Sequence, residues 1–159
     1  MPFRLDLLRH GDALPAGSEG DAARILSPIG RRDVARVAEE YVRRGWRPDR
    51  VLASPLHRAQ ETARILLLRL GEGPAFGTLA ELDPAYGDTQ VIQALRGSEG
   101  VPYLLAIGHQ PLLGQLARVL TGERGIPFPP AGMTRIDFDD RMEPGTGRLV
   151  EQVAPEDLD

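Results

Sequence analysis

The amino-acid sequence predicts an α/β fold, a three-layer sandwich with helices on both faces of a mostly parallel central sheet. Two observations support this fold class. Strand-like and helix-like segments alternate up to about residue 120, as in sheets whose parallel strands are joined by helices. Apolar strands also end directly at Arg9-His10-Gly11 and at Gly108-His109, an arrangement typical of α/β proteins. The 159 residues are predicted to form one domain, 1–159, with an acidic, frayed tail at 154–159.

Local signals define the elements of the first half of the chain. Ser27-Pro28 supplies an N-cap and a first-turn proline, and apolar residues at helical spacing follow until Gly45. Ser54-Pro55 repeats this signal and predicts a second helix that ends at Gly71. The predicted strands of this half are the short apolar-rich segment 3–8, which Arg4 and Asp6 interrupt, and a short buried strand at Arg50–Ala53.

Similar signals continue in the second half. Asp88 is predicted to cap a helix that ends at Gly97, and Pro111 lies in the first turn of a helix that continues to about Leu120. The run 102–107 is continuously apolar and predicts a buried strand. The remaining predictions are a short segment at 79–82 that could pair with a strand, and a closing hairpin of Met133–Phe138 and Arg148–Val153.

The composition excludes several kinds of chemistry. All 19 basic residues are Arg, and the chain contains no Lys, Asn or Cys. Schiff bases, a P-loop lysine, cysteine nucleophiles, thiolate metal sites and disulfides are therefore ruled out, and a phosphate would have to be held by Arg and backbone amides. The net charge of -4 argues against a nucleic-acid partner. The absence of a long apolar run argues against a membrane span and favours a cytoplasmic protein.

Two of the three histidines follow predicted strands. Because the carboxyl ends of parallel strands meet in one crevice, His10 and His109 are expected to face each other. Arg9 adjoins His10, and Arg58 lies early in the helix after Ser54-Pro55. Arginine binds tetrahedral anions through paired N–H groups, so Arg9 and Arg58 are candidate phosphate ligands.

The ordered motifs resemble those of a known family. They are Leu8-Arg9-His10-Gly11-Asp12-Ala13, Arg24 before the first helix, Val51-Leu52-Ala53-Ser54-Pro55-Leu56-His57-Arg58-Ala59-Gln60-Glu61-Thr62, Glu81-Leu82-Asp83-Pro84 with Gly87-Asp88, and Gly108-His109-Gln110-Pro111-Leu112. Together they resemble the histidine phosphatase superfamily, with its phosphoglycerate-mutase-like fold. The short chain and Asp12-Ala13 are most similar to the branch of the bacterial phosphohistidine phosphatase SixA.

The resemblance implies roles for the site residues. His10 would be the nucleophile that forms a phosphohistidine intermediate, with its pKa lowered by Arg9 and Arg58. His109, expected to be protonated, would bind the oxygens of the transferred group together with Arg9, Arg24 and Arg58. Gly11 would allow a tight turn and offer neighbouring amides to the phosphate. No cofactor or metal is implied.

The substrate is predicted from what the chain lacks. Larger family members carry a Glu or Asp general acid in an inserted segment, for which this chain is too short; Glu81 is the nearest candidate acid. The imidazole that leaves from phosphohistidine has a pKa near 6.5 and is a far better leaving group than an alkoxide. The leading expected substrate is therefore phosphohistidine on a protein.

Three alternatives remain open from the sequence. The same site could hydrolyse a small phosphomonoester such as a sugar or nucleotide phosphate. His10, Asp12 and His109 could instead be ligands of a metallohydrolase, although Arg9 and Arg58 would then have no role. The fold could also serve as a phosphate-binding module without catalysis, against which the presence of both histidines and both arginines argues.

Overall fold

A computed structural model describes residues 1–158 and contains one six-stranded sheet with the strand order β3-β2-β4-β1-β5-β6. The strands are β1 (Phe3–Arg9), β2 (Arg50–Ala53), β3 (Ala75–Thr78), β4 (Tyr103–Gly108), β5 (Met133–Phe138) and β6 (Arg148–Val153). β1 to β4 are mutually parallel where they pair, whereas β5 is antiparallel to both β1 and β6. The predicted α/β class and mostly parallel sheet are confirmed.

Four helices cover the two faces of the sheet. They are α1 (Pro28–Arg44), α2 (His57–Leu70), α3 (Asp88–Arg96) and α4 (Leu112–Thr121). One apolar cluster joins α1 and α2 to one face through residues such as Val37 and Leu66, and a second joins α3 and α4 to the other face through Leu95 and Leu116. The predicted three layers are therefore present. Residues 1–158 contain no helix that is both long and apolar enough to cross a membrane.

The helix signals were correct for α1 and inexact for α2. Ser27 caps α1 by accepting a hydrogen bond from the Gly30 amide at 2.9 Å, and Gly45 ends it in the left-handed conformation with φ 70°. Ser54, in contrast, does not cap α2, which begins at His57 after Leu56. The Ser54 hydroxyl instead contacts His109, so a side chain predicted to be structural lies in the candidate site.

Three further expectations are wrong in detail. The segment 79–82 does not pair as a strand: β3 precedes it, and Ala80–Leu82 forms a 3₁₀ turn. Gly87, whose amide donates to the Gln90 side chain, precedes α3, so Asp88 is the first helical residue and not the cap. The tail is ordered through residue 158, since Pro155–Asp157 forms a 3₁₀ turn and Leu158 packs against the core. Asp159, also predicted to be frayed, lies outside the described residues.

A buried polar network anchors β1, the strand that carries Arg9 towards the site. Asp6 is fully buried, and both of its carboxylate oxygens accept from Arg135, at 2.8 and 3.0 Å. The hydroxyls of Tyr41 and Tyr103 also donate to Asp6. Burial, followed by the charge of Asp6, raises the pKa of both tyrosines, which therefore remain protonated donors. Every oxygen of this buried carboxylate is thus satisfied.

Breaking this network should cost much of the protein's stability. Asp6→Ala is expected to lower the free energy of unfolding by about 3–5 kcal/mol, because it leaves the buried Arg135 guanidinium without a counter-charge. Asp137→Ala is the matched control, since its ion pair with Arg4 on the same two strands is partly exposed, and about 0.5 kcal/mol is expected there. Urea unfolding measures both. A similar loss in the two variants would contradict a special role for Asp6.

Candidate active site

The carboxyl ends of three neighbouring parallel strands bring the predicted site residues together. In the sheet, Arg9 at the end of β1 is level with Gly108 at the end of β4, and Ala53 at the end of β2 is level with Ile107. The next residues along each strand are therefore neighbours. They are His10, Ser54 and His109, all buried. The rings of the two histidines lie 4.9 Å apart between centroids, as their positions in the sequence predict.

The surroundings of His10 determine which ring nitrogen carries its proton. Nδ1 lies 2.7 Å from the carbonyl oxygen of Gly11, which can only accept a hydrogen bond, so Nδ1 must hold the hydrogen. In the neutral ring Nε2 then carries a lone pair, and it accepts from Nε of Arg58 at 3.3 Å. This fixed ring presents a nucleophilic nitrogen beside a guanidinium.

The pKa of His10 is lowered to about 4. Burial is the largest cause, and the charges of Arg58, Arg9 and Arg24 add to it, although the hydrogen bond to Gly11 opposes the shift. The predicted direction is confirmed, but desolvation contributes more than the arginines that the sequence had suggested. Since protonation would occur only near pH 4, the ring is neutral and nucleophilic at neutral pH.

Ser54 fixes the other histidine. Its Oγ accepts from the Leu56 amide at 3.2 Å and lies 2.7 Å from Nε2 of His109. Among the described residues Nε2 is the only acceptor in contact with this hydroxyl, since the Leu56 amide is itself a donor. We therefore assign the hydroxyl hydrogen to Nε2, which places the proton of a neutral His109 on Nδ1. Nδ1 is buried and has no hydrogen-bond partner within residues 1–158. His109 therefore presents an unsatisfied donor inside the site.

His109, which is expected to be protonated when it binds the transferred group, is uncharged in the free protein. Burial, followed by the neighbouring His10 and Arg58, lowers its pKa to about 3. At neutral pH the ring is uncharged and donates only through Nδ1. A bound dianionic phosphate would favour the charged ring and raise this pKa, so protonation belongs to the liganded state.

Removing the Ser54 hydroxyl should release the His109 ring. Ser54→Ala is expected to lower kcat/KM about tenfold, because Nδ1–H and Nε2–H forms of the ring would then interchange. Nitrogen-15 NMR of the free protein reads the tautomer directly, a signal that a loss of packing alone would leave unchanged. Ser98→Ala, which truncates another buried serine, is the control. An unchanged His109 spectrum in Ser54→Ala would contradict the assignment.

Arg9 is held between the strand and the loop that precedes β5. Its Nη1 donates to the carbonyl of Phe128 at 2.9 Å, while its Nε is buried and has no partner within the described chain. The same loop is bound to the backbone of His10, because the Ala131 amide donates to the His10 carbonyl at 3.0 Å. Arg9 thus contributes a second unsatisfied donor close to His10, consistent with its predicted role.

Arg58 and Arg24 meet at the loop that follows β1. Besides its contact with His10, Arg58 donates to the backbone carbonyl and the carboxylate of Asp21, at 3.0 and 3.3 Å. Arg24 is bound locally: it donates to the carbonyl of Leu14 at 2.8 Å and to the Asp21 carboxylate at 3.3 Å. Arg58 therefore contacts His10, whereas Arg24 secures the loop and acts on His10 through its charge.

The structure gives Gly11 a packing role, and the amide of Gly11 itself is bound within the protein. Its amide donates to Thr62 Oγ1 at 3.1 Å, so this group is already used and does not face a phosphate. The glycine is needed for space: a Cβ here would lie 2.8 Å from Val34 Cγ2 and 2.9 Å from the Gly30 carbonyl. The absence of a side chain lets the first turn of α1 pack directly against the loop that carries His10.

Glu81 and Asp12 complete the account of the predicted residues. The segment just before Glu81 runs beside the end of β2, because the Leu79 amide donates to the Ala53 carbonyl. Glu81 itself lies in the turn that comes next and is partly buried. Asp12 accepts from Ser27 Oγ at 2.7 Å. No three His, Cys, Asp or Glu side chains in the described part of the chain form a group that could hold a metal ion. The ligand set of His10, Asp12 and His109 is therefore not assembled.

Comparison with known proteins identifies the family. A sequence model of the histidine phosphatase superfamily (branch 1) matches residues 5–90, more than half of the chain. The chain belongs to this superfamily. As a member it is a phosphatase, and its fold is the phosphoglycerate-mutase-like fold that the motifs implied. A search of curated proteins found no match.

Solved structures place this phosphatase near the SixA branch. The protein histidine phosphatase SixA, in a complex with tungstate, is 29% identical, with 99% of this chain and 100% of that chain covered and a TM-score of 0.88. A protein from Agrobacterium tumefaciens assigned as phosphohistidine phosphatase SixA is 24% identical, with coverage of 98% and 99% and a TM-score of 0.84. A mycobacterial glucosyl-3-phosphoglycerate phosphatase shares the fold at 18% identity, with coverage of 94% and 97% and a TM-score of 0.65.

Sequence reasoning missed two side chains of this histidine phosphatase site. Asp21 bonds both Arg58 and Arg24, yet it lies in an exposed loop without periodicity. Its spacing of three residues before Arg24 was the available signal. Ser54 was interpreted as a helix cap because Ser-Pro is a common helix start; its position directly after β2, where His10 and His109 directly follow β1 and β4, was the clue.

Proposed function

We propose that this phosphatase uses His10 as a metal-independent nucleophile, and that its substrate is phosphohistidine on a protein. The observation that carries the mechanism is the fixed, neutral His10 ring, whose unprotonated Nε2 accepts from Arg58. A histidine surrounded by arginines, and still uncharged at neutral pH, has the properties that an attack on phosphorus needs.

The proposed reaction has two displacements. Nε2 of His10 attacks phosphorus while the bond to the leaving group breaks, and the electron pair of that bond departs with the leaving group. His109 Nδ1, Arg9 Nε and Arg58 donate to the phosphoryl oxygens, on which negative charge is held. Water then attacks the phosphohistidine, the new bond to His10 breaks, and inorganic phosphate leaves with the neutral ring restored.

The proposed P–N substrate is supported by the ionised state of Asp21, the carboxylate that contacts Arg58. Asp21 contacts Arg58, but Arg24 and Arg58 lower its pKa in spite of partial desolvation, so it does not hold a proton to donate at neutral pH. A phosphorylated imidazole whose other ring nitrogen is protonated leaves as neutral imidazole and needs no further acid. The similarity to the protein histidine phosphatase SixA over the whole of both chains supports the same choice.

A small phosphomonoester is the second candidate substrate. The shared fold of the mycobacterial glucosyl-3-phosphoglycerate phosphatase favours it, and Glu81 is then the proposed acid that protonates the alkoxide. Under either candidate, residues 1–159 are proposed to act as one domain, since the first and last strands belong to the same sheet.

The two candidate substrates are distinguished by measuring the rate of phosphate release from each under the same conditions. Phosphate release is measured from a phosphohistidine-bearing phosphotransfer domain and from an alkyl phosphate monoester, whose alkoxide leaving group needs an acid, with a chelator present throughout. We expect the protein substrate to react with the larger kcat/KM, and Glu81→Gln to leave that rate unchanged. Faster cleavage of the alkyl phosphate, together with its loss in Glu81→Gln, would overturn the P–N assignment in favour of the monoester.

A further inference from the structure

In the free protein, Arg58 already donates a hydrogen bond to a negatively charged group, the carboxylate of Asp21. In a guanidinium, the Nε–H and one Nη2–H point in the same direction and form the fork that binds two oxygens of a phosphate. On this edge of Arg58, Nε donates to His10 Nε2 and Nη2 donates to Asp21 Oδ2, both at 3.3 Å. The Asp21 carboxylate and His10 Nε2 are therefore bound to the same edge of Arg58. The carboxylate uses the Nη2 donor that an incoming phosphoryl oxygen would need.

We propose that Asp21 is a specificity-determining residue that stands in for the phosphoryl group on Arg58 and competes with it for this guanidinium. The inference rests on the proposed role of Arg58 as a phosphate ligand. A singly charged anion that displaces the Asp21 carboxylate from Arg58 gains little binding free energy, because it brings the same charge as the carboxylate that it replaces. A terminal phosphoryl group with two charges gains more, so the exchange favours phosphomonoesters and phosphoramidates over singly charged phosphodiesters.

The loop geometry allows the exchange. The Asp21 side chain is 62% exposed, whereas that of Arg58 is 6% exposed, so the carboxylate lies on the solvent side of a buried cation. Gly20, with φ 92°, turns the chain immediately before Asp21. The second oxygen of Asp21 already contacts Arg24 Nη1 at 3.3 Å. A carboxylate displaced from Arg58 therefore keeps a cationic partner at the rim.

Competition by Asp21 also bears on product release. Inorganic phosphate in this site would face Arg9, Arg58 and two histidines, which favours tight retention of the product. The returning carboxylate replaces phosphate on Arg58 and lowers the free-energy cost of its departure. The same residue thus weakens product binding and rejects singly charged anions.

Titration calorimetry with inorganic phosphate tests this competition without any need for turnover. Asp21→Asn, which keeps the backbone contact to Arg58 and the side-chain shape, is expected to bind phosphate about tenfold more tightly than the wild type. Dimethyl phosphate, a singly charged phosphodiester, is expected to bind measurably only to the variant. Glu19→Gln is the matched control, because it removes one exposed charge from the same loop, and Glu19 makes no ion pair within residues 1–158.

The outcomes separate this inference from the proposed site. Weaker or unchanged phosphate binding in Asp21→Asn, with a clear loss in Arg58→Ala, would overturn the competition and leave the phosphate site intact; Asp21 would then only hold Arg58 in place. Unchanged phosphate binding in Arg58→Ala would overturn both. Equal tightening in Glu19→Gln and Asp21→Asn would attribute the effect to net charge and also contradict the proposal.

Discussion

Replacing His10 by alanine is expected to abolish phosphate release, lowering kcat by at least about 10⁴-fold. The variant removes the Nε2 lone pair that lies beside Arg58. The neighbouring ring does not replace it, since His109 contacts Ser54 through Nε2, and its Nδ1 carries the proton. Steady-state phosphate release measures the loss. In the wild type, rapid alkaline quenching should trap a phosphoryl group on His10, because phosphohistidine survives alkali and is lost in acid.

His57→Ala is the matched control for this loss. His57 is the remaining histidine, begins α2 and has a half-exposed side chain 3.9 Å from Glu61, so its removal should leave the rate unchanged. A His10→Ala variant that kept more than about a hundredth of wild-type turnover would contradict the covalent route. Labelled phosphate trapped on a residue other than His10 would contradict it as well.

The position of the nucleophile was predictable because it depends on short-range signals. An apolar-rich segment that ends in Leu7-Leu8 and then meets Arg-His-Gly indicates both where the strand ends and which residue follows it. The same reasoning placed His109 after β4. Since parallel strands end at one edge, the pairing of the two rings required only that β1 and β4 be neighbours, which the sheet confirms.

The contacts that position these rings were harder to predict. Ser54 and Leu56 form a local turn whose hydroxyl reaches His109, 55 residues away, and no local propensity encodes that partner. Asp21 reaches Arg58 through a loop whose shape depends on contacts with α1 and α2. Long-range hydrogen bonds of this kind are set by the tertiary fold rather than by local sequence.

The long-range contacts of Asp6, which stabilise the fold, were also not predictable from the local sequence. In the sequence Asp6 interrupts an apolar strand, a pattern that is typical of a side chain that faces solvent. The structure instead buries it against Arg135, Tyr41 and Tyr103, from three other elements. Strand β1 therefore contains a polar residue that fixes it inside the sheet, Asp6, and ends at Arg9, which with the following His10 belongs to the proposed active site.

Arg58→Ala is expected to lower kcat/KM about 10³-fold, the second largest effect of any single change in this site. The guanidinium contacts the nucleophile, and its charge would stabilise the phosphoryl oxygens as they become more negative. It also lowers the pKa of His10, so its removal should raise that pKa and move the acidic limb of the kcat/KM profile to higher pH. Values of kcat/KM measured from about pH 3 to 8, a range that includes the wild-type limb, test both effects.

Arg64→Ala and Arg58→Lys show whether charge alone explains this loss. Arg64 lies on the exposed side of α2, so its removal changes the net charge equally and should leave the rate unchanged. Lysine restores the charge at 58 but not the planar fork, and it should recover little activity, because one ammonium does not donate along two fixed directions to His10 and an oxygen. Full recovery by lysine would mean that Arg58 acts only as a point charge, and the paired geometry with Asp21 would then have no part in substrate binding.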